Sequence, residues 1–132
     1  MGTVKCFEDL EIWQLAREFC KDIFRFSCEG DFSKDFSLRN QISASSGSIM
    51  DNIAEGFERS GNKEFIQFLY IAKGSCGEAR SQLYRTLDFG YISDDVFNTL
   101  SAKAKQISQS IAKLIKYLKQ SNYKGIKYAN EQ

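Results

Sequence analysis

Residues 93–118 read SDDVFNTLSAKAKQISQSIAKLIKYL, and within them Phe97, Leu100, Ala104, Ile107, Ile111, Leu114 and Leu118 recur at steps of three and four. Steps of that size gather apolar side chains on one face of an α-helix, because each residue turns the face by about 100°. Ser93 offers a hydroxyl to the first free amides, and Asp94 and Asp95 complement the positive N-terminal end. The stretch predicts a helix over 94–119 with a strict apolar seam, which needs other helices to cover it.

Three more segments upstream carry the same kind of face. Phe65, Leu69, Ala72, Cys76, Ala79, Leu83 and Leu87 predict a helix over 63–89, with Asn62 as its cap and Gly90 closing it. Leu38, Ile42, Ile49, Ile53 and Phe57 predict one over 35–59, capped from Ser33–Asp35 and followed by the break Ser60-Gly61-Asn62. The first helix is expected over 8–26, with Leu10, Trp13, Ala16, Cys20 and Ile23 on one face and Ile12, Phe19 and Phe26 widening it. Cys28 to Asp31 then read as a turn.

The 132 residues contain no proline and only nine scattered glycines, so helix interiors run unbroken and the class is all-α. Four long amphipathic segments with short connections predict an antiparallel up-down-up-down four-helix bundle, crossing at about 20°. One domain over 1–119 is expected, and 120–132, where the period is lost, is expected to be a mobile tail.

The second helix carries a further line. Ser48, Asn52, Glu55 and Arg59 follow at steps of four, three and four, and the line extends back through Ser45 and Gln41. It borders the apolar stripe, where an unpaired polar group costs about 1–3 kcal/mol. Such a line is either an internal hydrogen-bond network or a face turned to a partner, and both readings stay open. A turn centred on Gly61 sets residue i roughly opposite 122 minus i, so Ser48 faces Gly74 and Ser45 faces Gly77. Glu78 then lies level with Ala44, within reach of Ser45 or Gln41. The candidate structural network is Ser48, Asn52, Glu55, Arg59, Ser75 and Glu78. Gly47, Gly74 and Gly77 each cost a helix about 1 kcal/mol, and a close approach of helices two and three, or a partner there, would account for them.

Histidine is absent, which removes the usual general base, the Ser-His-Asp and Cys-His arrangements and the Glu-x-x-His ligands of di-iron bundles. Cys6, Cys20, Cys28 and Cys76 lack zinc-site spacing, and Cys20 and Cys76 fall on apolar faces as core residues. The carboxylates Glu55 and Glu78 would stand about 16 Å apart in the paired helices, against about 5–9.5 Å for a working glycosidase pair. No Gly-rich phosphate loop is present. No signal-like or membrane-spanning apolar run is present either, so a cytoplasmic protein with reduced thiols is expected. The expectation is a non-enzyme with no metal, no cofactor and no membrane partner.

Charge is unevenly placed: residues 1–100 carry 11 Lys or Arg against 16 acids, and residues 101–132 carry 7 against 1. Lys105, Lys113, Lys116 and Lys119 project within about 120° of one another, opposite the apolar seam of helix four. They are either a solvated outer face or the patch that meets phosphate.

Phe7, Leu10, Trp13 and Ala16, then Ser48 with Asn52-Ile53-Ala54-Glu55-Gly56, then Phe65, Phe68, Leu69, Ala72, Ser75 and Glu78 form an ordered set. With Gly90-Tyr91-Ile92, the set resembles the bacterial 23S rRNA intervening-sequence proteins, over about residues 6–118. The resemblance implies a small non-enzymatic four-helix bundle, encoded within insertions of the large ribosomal RNA gene or as a free-standing gene. Relatives include the accessory variability proteins of diversity-generating retroelements, pentameric rings that bind nucleic acid and a reverse transcriptase, so a homopentamer is implied. The expected function is a homo-oligomer that binds structured RNA or DNA through Lys105, Lys113, Lys116 and Lys119. The alternative is a scaffold for a protein partner, contacted through the helix-two line and Tyr70, Tyr84 and Tyr91.

Overall fold

The computed structural model describes residues 4–121. Four helices, α1 (Glu11–Ser27), α2 (Phe36–Glu58), α3 (Asn62–Asp88) and α4 (Asp94–Gln120), form an all-α bundle. Each packs on its neighbour in sequence, and α1 closes the ring against α4, giving the up-down-up-down order. Ala16, Phe19, Ile42, Ile49, Ile53, Leu69, Cys76, Ile107, Ile111 and Leu118 fill the core at 0–1% exposure. Burial of that apolar surface, at roughly 25 cal/mol per Å², is what holds the helices together. Gln120 ends α4, and the expected tail lies, from residue 122 on, outside the described residues.

The start of the first helix differs from expectation. Phe7–Asp9 form a 3-10 turn and Leu10 is extended before α1 begins at Glu11. In a helix continuous from residue 8, Leu10 would point nearly opposite the face of Ile12, Ala16, Phe19 and Ile23. The break swings it inward to 4% exposure, while Phe7 packs edge-on against Trp13 at 5.2 Å. The buried face therefore centres on Ile12, Ala16, Phe19 and Ile23, and Trp13 and Cys20 lie at its margin.

The connections hold the ends. Asp35 caps α2, its Oδ1 accepting from the Leu38 amide at 3.1 Å, and the Ser93 hydroxyl caps α4 by accepting from Val96 at 3.1 Å. After α3, Gly90 takes φ +79°, the Gly90 amide donates to Leu87 and the Tyr91 amide to Thr86, a Schellman stop. Asn62 is not the cap of α3, because Gly61 at φ +94° occupies that position. Asn62 lies one residue inside, 5% exposed, and its Nδ2 donates across the bundle to the Leu118 carbonyl (3.1 Å) and Ser121 Oγ (3.0 Å). At the other end the two remaining connections meet: Tyr91 stacks on Phe32 at 5.4 Å and donates to Asp35 Oδ2 at 2.9 Å. That hydrogen bond holds the Tyr91 phenol above its ordinary pKa.

Candidate functional site

The polar line of α2 lies along the α2–α3 seam, where helical spacing brings it beside a second polar line on α3. Asn52 Nδ2 donates to the Ser48 carbonyl and to Ser48 Oγ, each at 2.8 Å, and Ser75 Oγ donates to Ser48 Oγ at 2.9 Å. Further along, the Ser45 hydroxyl donates to Gln82 Oε1, and Arg85 Nη2 donates to Gln41 Oε1 at 2.6 Å. At the turn, Arg59 Nη2 pairs with Glu55 at 2.8 Å, its Nη1 reaches Glu64 at 3.6 Å, and its guanidinium lies 5.1 Å from the Phe68 ring. The structure thus joins Ser48, Asn52 and Ser75 in one group and Glu55 with Arg59 in another, both inside the chain.

Glu78 joins neither group. It is exposed, lining a depression with Gln41, Ala44, Ser45, Ser48 and Gln82, and the positions expected to bind it are taken by Gln82 and Arg85. The expected pairing rule holds near the turn, where Phe57 meets Phe65, and drifts by about one turn at the far end, where Ser45 meets Gln82. Gln82 and Thr86 are buried polar residues on α3 whose spacing from Ser75 keeps them on one face. That second polar line was the signal available in the sequence for the cross-links.

The glycines are also reassigned. A Cβ at Gly47, Gly74 or Gly77 would meet nothing within 4 Å, so none of the three brings helices together. Gly56 does: a Cβ there would sit 2.5 Å from Phe68 Cβ and 3.1 Å from the Phe65 ring. Gly56 keeps apolar-stripe spacing from Ile49 and Ile53, and that spacing was its signal.

The thiols and tyrosines divide by burial. Cys76 is 0% exposed, and burial pushes its thiol up to about 12, so it is a core group and not a nucleophile. Cys20 is half-buried and accepts a long contact from Ser46. Tyr70 and Tyr84 are 49% and 52% exposed, whereas Tyr91 is held by Phe32 and Asp35 and offers little surface.

Lys105, Lys113, Lys116 and Lys119 are all exposed on α4, which has no acidic residue after Asp95. Lys119 Nζ donates to Tyr70 Oη at 2.8 Å and sits 5.3 Å from its ring centre. Lys103, on the α1 side of the same helix, is taken by Asp22. The other three make no ion pair with a described residue. Among the described residues, no helix is long and apolar enough to cross a membrane.

A four-helix bundle cross-linked along α2–α3, with a cationic outer helix, is the class that fold and side chains define. The chain belongs to the family of 23S rRNA-intervening sequence proteins, whose profile matches residues 8–113. It is similar in structure to a protein of unknown function from the S23 ribosomal protein family of Bacteroides thetaiotaomicron. The TM-score is 0.73 and the identity 24%, over 80% of this chain and 98% of that one. Among curated proteins, none matches.

Proposed function

We propose that this protein is a non-enzymatic homo-oligomer, a pentamer, that binds RNA or DNA through the outer face of α4. The observation that carries the reading is the exposure of Lys105, Lys113, Lys116 and Lys119 on a helix free of acids beyond Asp95. Each lysine that meets a phosphate releases a counterion, so a symmetric assembly that repeats the face multiplies the attraction. The oligomer is supported by an open strip on α2 and α3, where Ala44 and Gly74 are exposed beside Ile71 at 51%. The ring size follows the retroelement relatives of the family that the sequence resembles.

Fluorescence titration of labelled RNA and DNA at rising salt tests the binding, with light scattering on the same sample giving the mass. Affinity should fall linearly on a log–log plot, with a slope of about −0.7 per phosphate contact for single strands and −0.9 for duplex DNA. Absence of binding to every RNA and DNA at low salt would overturn the reading. A monomeric mass would remove the oligomer from it.

A further inference from the structure

The proposed interface rests on lysines of one helix, yet the structure places further cations beside them. On α3, Tyr70, Lys73, Gly77, Arg80 and Tyr84 follow at steps of three, four, three and four, so they form one line. Three contacts show that this edge of α3 borders α4, and the first and last of them fix the antiparallel register. Tyr84 meets Phe97 with ring centres 4.8 Å apart, Tyr70 accepts from Lys119, and Asn62 reaches Leu118. Interpolation sets Arg80 level with Ser101 and Lys73 level with Ser108, flanking Lys105 on the opposite helix.

Between Tyr70 and Tyr84 the seam is bare of acids, Asp88 lying one turn beyond. Along α3 the line holds none, and along α4 its neighbours are Ser101, Lys105, Ser108, Ala112, Lys116 and Lys119. Lys73 and Arg80 are half-buried, both close enough to the Cys76 thiol to favour its anion, and neither makes an ion pair with a described residue. The buried Arg80 Nε has no hydrogen-bond partner. Two cations held at a helix seam with no counter-charge raise the local potential, and a guanidinium is well shaped for phosphate.

Tyr70 and Tyr84 bracket these cations, 14 residues apart on α3, which is about 21 Å along the helix. Each leaves about half its surface open, at 49% and 52%. Cations that track a backbone, with aromatic rings on which bases stack, bind unpaired strands, because bases inside a duplex present no free face.

We propose that the α3–α4 seam, with Lys73, Arg80, Lys105 and Lys119 on the phosphates and Tyr70 and Tyr84 under the bases, binds single-stranded nucleic acid. This rests on the proposed function and narrows it to unpaired segments, including the loops of a structured RNA. It also adds two α3 cations to the helix-four lysines.

The test uses the full chain, fluorescence anisotropy and labelled single-stranded and duplex oligonucleotides of equal length. Removing both α3 charges, Lys73→Gln with Arg80→Gln, should weaken single-strand binding on the order of tenfold at low salt and flatten the salt slope by about 1.4. Charge-keeping Lys73→Arg with Arg80→Lys should restore both, which separates charge from packing damage. The control Lys21→Gln with Lys34→Gln loses the same charge away from the seam, on α1 and the α1–α2 connection, and should bind like the parent. Tyr70→Leu with Tyr84→Leu should weaken single-strand binding while leaving the salt slope unchanged. If the parent binds but the α3 charge variant matches the control, the seam is overturned and the helix-four reading stands. If duplex binds as tightly as single strand, the single-strand assignment is overturned. If the parent binds neither, the proposed function falls and the seam with it.

Discussion

Gly56 shows how one missing side chain sets the distance between two helices. Replacing a helical glycine with alanine normally stabilises by about 1 kcal/mol, because the unfolded chain loses freedom. At Gly56 the added methyl would land 2.5 Å from Phe68 Cβ, an atom tied to the α3 backbone and unable to rotate away. Overpacking of this kind costs about 1–3 kcal/mol, so Gly56→Ala should lower the melting temperature. Gly47→Ala, at a helical position with open space around it, should raise the melting temperature instead. Opposite signs in thermal unfolding check the assignment, and equal signs would refute it. The sequence drew attention to Gly47, Gly74 and Gly77 because they cluster across paired helices. Clustering on a helical wheel does not say which side of the wheel is covered.

At the scale of helices, most of the design was legible, and the exceptions have one physical origin. Apolar spacing revealed four helices and the caps Asp35 and Ser93, since these depend on neighbours within a turn or two. Asn62 has the chemistry of a cap, but Gly61 adopts a positive φ and takes that place, which the sequence does not reveal. The Asn62 amide instead joins the first turn of α3 to the Leu118 carbonyl and the Ser121 hydroxyl at the end of α4, contacts across 56 and 59 residues of chain. Asn62→Ala should therefore cost about 1–3 kcal/mol, by removing two cross-bundle hydrogen bonds worth about 0.5–1.5 kcal/mol each. Urea unfolding should show a lower midpoint, and an unchanged midpoint would mean that the cross-link contributes nothing. Long-range register was likewise only partly readable. The pairing rule from the turn placed Ser48 close to Ser75, but the far end slid by about one turn, replacing Glu78 by Gln82. Of the candidate site, the outward lysines were legible from spacing alone. The α3 cations beside them were not, because their proximity depends on how two helices lie together.

Considered whole, the bundle has a built-in alkaline limit. The Cys76 thiol is pushed by burial from 9.0 up to about 12, so the folded protein keeps its proton where the unfolded chain releases it. The native state then binds more protons than the unfolded state between these values, and stability falls as pH rises through that window. Tyr91, also raised, acts in the same direction. Denaturation midpoints measured from pH 8 upward should decline, and Cys76→Ala, which removes the group, should decline less steeply. A variant with the parent's slope would show that the thiol is not the source. At the opposite end of the molecule from Asn62, one carboxylate serves two segments: Asp35 holds the first turn of α2 with one oxygen and the α3–α4 connection with the other. Fraying of α2 there releases Tyr91, and movement of Tyr91 removes a restraint from the α2 terminus. Two stretches 56 residues apart should thus open together, and hydrogen exchange should give their amides similar protection, which Tyr91→Phe should lower in both.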